Sequence, residues 1–118
     1  MAKFRSDYER TIAKLSDKRI KYEPIKISYV LEKKYEPDFV LPNGIMVEAK
    51  GYLRPGDRTK MLAVKKQHPE LDIRFLFQRA ENTISKTSKT TYAAWAKKNG
   101  FKWSSGSHIP QEWVNEKT

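Results

Sequence analysis

The sequence of 118 residues contains no cysteine, which excludes disulfide frameworks, zinc sites built on thiolates and cysteine nucleophiles. Only two histidines are present, His68 and His108, and they form no recognisable zinc motif. No segment approaches the roughly 18 consecutive apolar residues of a membrane span, and no signal-peptide or lipidation pattern opens the chain. We therefore expect a soluble, cytoplasmic protein that does not bind a membrane.

Acidic residues are scarce relative to basic ones. The sequence has 24 Lys and Arg against 14 Asp and Glu, a formal net charge of +10. Such an excess is typical of proteins that bind a polyanion, and nucleic acid is the leading candidate. The chain is long enough for one domain with its own core and too short for two ordinary ones. We expect a single domain over residues 1–118, opened by a basic arm at residues 1–5.

Hydrophobic periodicity predicts a mixed α/β, or α+β, sheet protein. Ser6 and Glu9 have the spacing of a capping box, which predicts the start of a first helix. The Pro42-Asn43-Gly44 turn lies between two strand-like segments and predicts an antiparallel hairpin. Asp57 has the position of a second helix cap, and Gly100 closes a third helix. The predicted order is an α-β-β-β-α-β core with helical additions: helices at 7–18, 57–67 and 90–99, strands at 20–30, 35–41, 45–51 and 73–78, a polar loop at 79–89, and a short helix from residue 109.

The chemistry of the sequence is concentrated on the hairpin. Glu48 and Lys50 are two residues apart on one strand, so their side chains emerge on the same face. Asp38 lies on the partner strand, where pairing can bring its carboxylate toward that face. Hard oxygen ligands of this kind suit Mg²⁺, and the Ala49 carbonyl is a further possible ligand. A lysine beside such a metal can orient or help to deprotonate an attacking water, which is what phosphodiester hydrolysis requires.

Two of these features have simpler explanations. An acid and a lysine at this spacing are common on the solvated face of a strand, where they form no more than a weak surface pair. Glu9 is explained locally by its place in the capping box, and a second metal would be needed to give it a catalytic role. The basic composition favours the nuclease interpretation for the hairpin.

Short segments along nearly the whole chain match the pattern of one known family. These are Phe4-Arg5-Ser6 with Glu9, Pro37-Asp38-Phe39, Leu41-Pro42-Asn43-Gly44-Ile45, Val47-Glu48, Lys50-Gly51, Gln67-His68-Pro69-Glu70-Leu71-Asp72-Ile73-Arg74, Ile109-Pro110 and Glu112-Trp113. In these segments the sequence resembles the phage endodeoxyribonuclease I family, the Holliday-junction resolvases of the PD-(D/E)xK nuclease superfamily. The agreement outside the hairpin is much more specific than the catalytic motif alone.

The resemblance implies a function for each matching residue. Asp38 and Glu48 would be metal ligands, Lys50 the catalytic lysine and Glu9 an additional active-site acid. Glu23 would be an accessory acid, although the connection from Glu23 to Asp38 is shorter than in the family pattern. The resemblance also implies a restriction-endonuclease-like core and a strand-exchanged homodimer, in which each active site combines the helix glutamate of one chain with the hairpin residues of the other.

We therefore predict a structure-selective, Mg²⁺-dependent DNA endonuclease, phage or prophage encoded in a bacterial host, that resolves four-way junctions and other branched DNA by paired nicks. Mn²⁺ would substitute, one or two ions would bind at each site, and no small-molecule cofactor is expected. Arg5, Arg54, Arg58 and Lys60 flank the predicted site and are our DNA-contact candidates. The alternatives are a non-catalytic basic module that binds branched or single-stranded nucleic acid, and a restriction-like or mismatch nuclease on the same core.

Overall fold

The computed structural model describes residues 6–23 and 25–117. These residues form two compact units that divide between Lys33 and Lys34. The described part of the N-terminal unit contains one helix, and that of the C-terminal unit contains a four-stranded sheet with three helices. The predicted basic arm lies outside the described residues. Among the helices described, none is long and apolar enough to cross a membrane.

The helix of the N-terminal unit, α1, spans Asp7–Leu15. It begins where the sequence predicts, because the Ser6 hydroxyl accepts a hydrogen bond from the Glu9 backbone N–H at 3.1 Å. The helix ends at Ser16, before the predicted boundary at residue 18. None of its residues is buried, so its apolar side chains belong to no buried cluster among the described residues.

The predicted strand at residues 20–30 is wrong for the described residues of that range, which form no strand. A strand exists only when its backbone groups pair with a neighbouring strand, whereas alternation in the sequence shows only which side chains would share a face. In this segment Ile25, Ile27 and Tyr29 alternate as predicted, yet all three are exposed.

The C-terminal unit is built on a mixed sheet of order β1-β2-β3-β4. The turn at Gly44, with φ of 90°, joins the antiparallel strands β1 and β2, which confirms the predicted hairpin. Strands β2, β3 and β4 run parallel. The predicted strand at 35–41 shortens to two residues, and β4 was not predicted. The strands are β1 Phe39–Val40, β2 Met46–Lys50, β3 Ile73–Phe77 and β4 Trp103–Ser105.

Helices α2 Pro55–Gln67, α3 Tyr92–Lys98 and α4 Gln111–Asn115 complete the unit. Pro55 suits the first turn of α2, because it lacks the backbone N–H that would remain unpaired there. The cap of α2 is Arg54, three residues before the predicted cap Asp57, which lies inside the first turn. The mixed α and β class is confirmed, whereas the order α-β-β-α-β-α-β-α differs from the predicted core.

Each face of the sheet carries its own apolar cluster. Phe75 and Phe77 of β3 point toward α2 and α3, where they pack with Met61, Trp95 and Phe101. On the opposite face, the side chains of β2 and β3 pack with the chain end around α4. That second cluster contains Leu41, Ile45, Val47, Leu76, Ile109, Trp113 and Val114. Both faces of β3 are therefore buried.

A charged group fixes the C-terminal segment to the sheet. Arg74 of β3 is 1% exposed, and its guanidinium binds the carboxylates of Asp72 and Glu116 at 2.7 to 2.9 Å. The Trp113 ring lies 5.4 Å from the guanidinium carbon. Asn43 of the hairpin turn donates to the carbonyls of Trp113 and Glu116, each at 2.8 Å. The hairpin and the chain end are thus held together by polar contacts as well as by apolar packing.

Candidate active site

Strand β2 places Glu48 and Lys50 on the face of the sheet that carries α2 and α3. In the parallel register Glu48 lies beside Phe75 and Lys50 beside Phe77, so both point to that face. The Lys50 Nζ atom is 3.7 Å from Glu48 Oε2. The carboxylate is nearly inaccessible, with Glu48 only 4% exposed, whereas Lys50 is partly open to solvent. The predicted pairing of an acid and a lysine on one strand face is present.

Asp38 is the residue that precedes β1, and it lies beside β2. Phe39 pairs with Val47, so continuation of the register sets Asp38 opposite Glu48. The Asp38 carboxylate accepts a hydrogen bond from the Ala49 backbone N–H at 2.9 Å. Asp38 is exposed, unlike Glu48. The hairpin therefore brings Asp38, Glu48 and Lys50 together, with Ala49 between the two residues of β2.

Tyr35 is an unpredicted member of this group. Its hydroxyl donates a hydrogen bond to Glu48 Oε1 at 2.8 Å. Burial, the hydrogen bond to Glu48 and the negative charges of Glu48 and Asp38 raise the pKa of the Tyr35 hydroxyl above its ordinary value of 10. The hydroxyl therefore stays protonated at neutral pH and acts as a donor.

Asp57 is the second unpredicted member, and its two oxygens have different functions. Oδ2 accepts a hydrogen bond from the Arg54 backbone N–H at 3.0 Å, which stabilises the start of α2. Oδ1 lies 3.3 Å from Lys50 Nζ. The ammonium group of Lys50 is thus held between Glu48 and Asp57, and the first turn of α2 is tied to the carboxyl end of β2.

The donor set fits a hard divalent cation. Asp38 and Glu48 supply two carboxylates, and the exposed Ala49 leaves its backbone close to solvent. Within residues 6–23 and 25–117, no three His, Asp or Glu side chains cluster closely enough to hold a metal ion by themselves. Two carboxylates without a closed protein cage are what Mg²⁺ commonly uses, since it retains waters and binds substrate phosphate oxygens.

Glu9 and Glu23 belong to the N-terminal unit. The Glu9 carboxylate accepts hydrogen bonds from the Ser6 hydroxyl at 3.3 Å and from the Tyr22 hydroxyl. The backbone N–H of Glu9 takes part in the helix cap, as predicted. One carboxylate oxygen of Glu9 accepts from Ser6, and the other accepts from Tyr22, a contact that the sequence did not indicate. Glu23 is exposed and adopts a φ of 44°, an unusual conformation for a residue with a side chain.

The sequence matches the family model of phage endonuclease I over residues 1–118. The chain belongs to this family. It is 44% identical over 119 residues to Endonuclease I of Escherichia phage T7, with 96% of this chain and 79% of the relative covered. It is 45% identical over 104 residues to Endodeoxyribonuclease 1 of Enterobacteria phage T3, with 83% of this chain and 68% of the relative covered. The predicted family and the predicted enzyme class, an endonuclease, are confirmed.

The DNA-contact candidates of this phage endonuclease I family member have different environments. Arg54 is exposed and lines an open cleft of about 410 Å³ with residues 82–86. Lys60 is also exposed, and its Nζ atom lies 5.5 Å from the centre of the Tyr35 ring. Arg58 donates from one guanidinium nitrogen to the carbonyls of Leu53 and Ile84, at 2.9 and 3.2 Å. Arg5 lies outside the described residues.

The two residues that the sequence did not assign to the site, Tyr35 and Asp57, gave only ambiguous signals. Tyr35 reads as an aromatic residue in a predicted strand, and Asp57 reads as a helix cap. Asp57 does bind a backbone N–H of the first turn, so the local signal was correct but incomplete. Their contacts with Glu48 and Lys50 depend on how α2 and the segment before β1 pack against β2.

Proposed function

We propose that this protein is a Mg²⁺-dependent endodeoxyribonuclease that resolves four-way DNA junctions as a homodimer, inside the bacterial cell that a phage infects. The observation that carries the proposal is the convergence of Asp38, Glu48 and Lys50 on one hairpin in a member of the phage endonuclease I family. The net charge of +10 supports a DNA substrate.

Each hairpin residue has a definable function in phosphodiester hydrolysis. Asp38, Glu48 and the Ala49 carbonyl would hold Mg²⁺, or Mn²⁺ in its place. The bound ion would supply an activated water and stabilise negative charge at the phosphate. Lys50 presents an ammonium group at the edge of the site, where it can donate to a phosphate oxygen or orient the attacking water. Its contacts with Glu48 and Asp57 restrict the position of that charge.

The exposed apolar side chains of the N-terminal unit support the proposal of a dimer. A run of apolar side chains there is largely exposed in the single chain, from 66% for Leu31 to 91% for Val30. Exposed apolar surface of this extent is typical of an interface, and a second copy of the chain is the occupant we propose. The run consists of Ile20, Ile25, Ile27, Tyr29, Val30 and Leu31. The described residues of the range 20–30 would then find in the partner the strand neighbour that they lack in the single chain.

A dimer also accounts for the acids of the N-terminal unit. Glu9 would join the hairpin residues of the partner chain and supply a further carboxylate, sufficient for a second ion at each site. Glu23 would be an accessory acid. Two sites related by a two-fold axis match the symmetry of a four-way junction, in which paired nicks fall on strands of like polarity.

The test compares a four-way junction with its component duplexes, with and without Mg²⁺. We expect paired nicks in the junction that require the metal, and little cutting of linear duplex. Glu48→Gln and Lys50→Ala should abolish cutting while junction binding remains. Undiminished cutting by either variant would exclude the proposed site. Metal-independent binding without cutting would favour a non-catalytic basic module, and equal cutting of linear duplex would favour a restriction-like or mismatch nuclease.

A further inference from the structure

The position of Tyr35 suggests a specific function in the site proposed above. Its hydroxyl is 2.8 Å from Glu48 Oε1, while Glu48 Oε2 faces Lys50. Tyr35 lies four residues before β1 and is therefore no part of the strand ladder. It reaches Glu48 through its side chain alone, so nothing in the backbone pairing of the sheet requires this contact.

The Tyr35 ring is fixed on two sides. It packs against the apolar cluster around Phe75 and Phe77, and the Lys60 ammonium lies 5.5 Å from its ring centre. A cation at this distance from an aromatic ring is attracted by the ring's negative face. A ring held in this way has few orientations, so the direction from which its hydroxyl meets the carboxylate is determined by packing.

The Glu48 carboxylate needs such a partner. At 4% exposure it is largely removed from water, and a buried carboxylate must be hydrogen-bonded or paired with a charge. Lys50 Nζ, at 3.7 Å, is too distant for a normal hydrogen bond. The hydroxyl of Tyr35 is therefore the short contact that orients Glu48.

We propose that Tyr35 is a positioning residue that directs one oxygen of Glu48 toward Lys50 and a bound divalent ion by occupying the other oxygen. The inference rests on the proposed metal-dependent function. Groups that orient a metal ligand in this way commonly change metal affinity about 10- to 100-fold when they are removed. A purely structural role would change the melting temperature and leave the metal affinity of the folded protein unaltered.

The experiment is a calorimetric titration of the full chain with Mn²⁺ in the absence of DNA, together with thermal melting in the presence of a chelator. The test variant is Tyr35→Phe, which removes only the hydroxyl. The matched control is Tyr52→Phe, which removes a hydroxyl from a tyrosine that is 72% exposed. We expect Tyr35→Phe to raise the dissociation constant for Mn²⁺ about 10- to 100-fold and the control to change it less than about twofold.

Cleavage provides a second measurement. The Mn²⁺ concentration for half-maximal junction cutting should rise by a similar factor in Tyr35→Phe, and the maximum rate at saturating metal should fall much less. A folded Tyr35→Phe protein with wild-type Mn²⁺ affinity would overturn the inference. If the wild-type protein itself neither binds Mn²⁺ nor cuts a junction, the proposed function is wrong as well. The two failures are distinguishable, because an active wild type with an equally active Tyr35→Phe variant contradicts only the inference about Tyr35.

A third variant covers the case in which Tyr35→Phe does not fold. The double variant Tyr35→Phe/Glu48→Gln removes the buried charge together with the hydroxyl, and a neutral amide is much less costly to bury than a charge without a partner. We expect the double variant to regain a cooperative melting transition. If it remains unfolded, the effect of Tyr35 does not act through Glu48 and the inference is overturned.

Discussion

The carboxylate of Asp57 links the first turn of α2 to Lys50, since Oδ2 accepts the Arg54 N–H at 3.0 Å while Oδ1 lies 3.3 Å from the lysine Nζ. The same residue therefore stabilises a helix and restrains the only lysine of β2. Because each contact uses a different oxygen, a suitable substitution at Asp57 can change the position of the Lys50 ammonium without loss of the bond that stabilises the helix start.

Asp57→Asn should slow cleavage while it preserves the fold. The amide oxygen of asparagine can still accept the Arg54 N–H, but the charge that holds the Lys50 ammonium is lost. A small displacement of a catalytic group costs up to about 100-fold in rate, so we expect a fall of about 10- to 100-fold in the single-turnover rate on a junction. Junction binding should be unchanged.

Asp57→Ala is the comparison for this prediction. It removes both contacts, so it should slow cleavage to a similar extent and also destabilise the protein by about 1 kcal/mol. The rate is measured under single-turnover conditions, and stability by urea denaturation. Wild-type cleavage by Asp57→Asn would show that Lys50 does not need this partner.

Arg54 and Arg58 should behave differently although both are candidates for DNA contact. Arg54 is exposed, so Arg54→Ala should weaken junction binding and reduce the slope of log K against log salt by about 1. Arg58 donates to the carbonyls of Leu53 and Ile84, so Arg58→Ala should mainly lower the melting temperature. Fluorescence anisotropy over a salt series and thermal melting test this. The assignment is contradicted if Arg58→Ala changes the salt slope more than Arg54→Ala.

Ile27→Lys should weaken the proposed dimer. Ile27 is 78% exposed in the single chain, and burial of an isoleucine side chain contributes about 1.5 to 3 kcal/mol. We expect the dissociation constant of the dimer to rise at least about tenfold for each Ile27 side chain that the interface buries. Analytical ultracentrifugation measures this constant. Ser28→Lys adds the same charge without removal of an apolar side chain and should have a much smaller effect. Equal effects of the two substitutions would argue against an interface that buries the Ile27 side chain.

Stability should fall in acid partly through the contacts of Arg74. Hydrogen bonds from Arg74 hold the carboxyl pKa of Asp72 below its ordinary value of 3.8 and that of Glu116 below 4.5. A carboxyl with a depressed folded-state pKa stabilises the protein above its unfolded pKa, and that contribution is lost as the pH falls through the folded value. The loss should therefore begin below about pH 5 and continue to below 3.8.

Arg74→Met tests the origin of this acid sensitivity. It should be less stable than wild type at neutral pH and should lose less free energy of unfolding between about pH 5 and pH 3, because the two carboxyl groups regain ordinary pKa values. Arg19→Met removes the cation from the exposed pair with Asp17 and should change the profile little. Urea denaturation at each pH gives the comparison. Identical profiles for wild type and Arg74→Met would rule out this origin.

Local signals predicted the hairpin and the start of α1 well. The Pro42-Asn43-Gly44 turn needs a residue that tolerates a positive φ, and Gly44 provides it at 90°. The Ser6 cap is equally local, since it acts within one turn. The strand predicted at residues 20–30 is absent from the described residues of that range in the single chain, because pairing depends on a neighbour that the segment's own sequence does not contain. Strand β4 was missed because three residues carry too short a pattern for periodicity to detect.

The sequence by itself determined which residues of β2 share a face, because alternation along a strand is a local property of the backbone. That is why Glu48 and Lys50 could be paired from their spacing. Only the tertiary structure decided that Tyr35 binds Glu48 and that Asp57 binds Lys50. These contacts depend on the packing of α2 and of the segment before β1 against the sheet. The spacing of nearby residues in the sequence does not reveal such long-range packing.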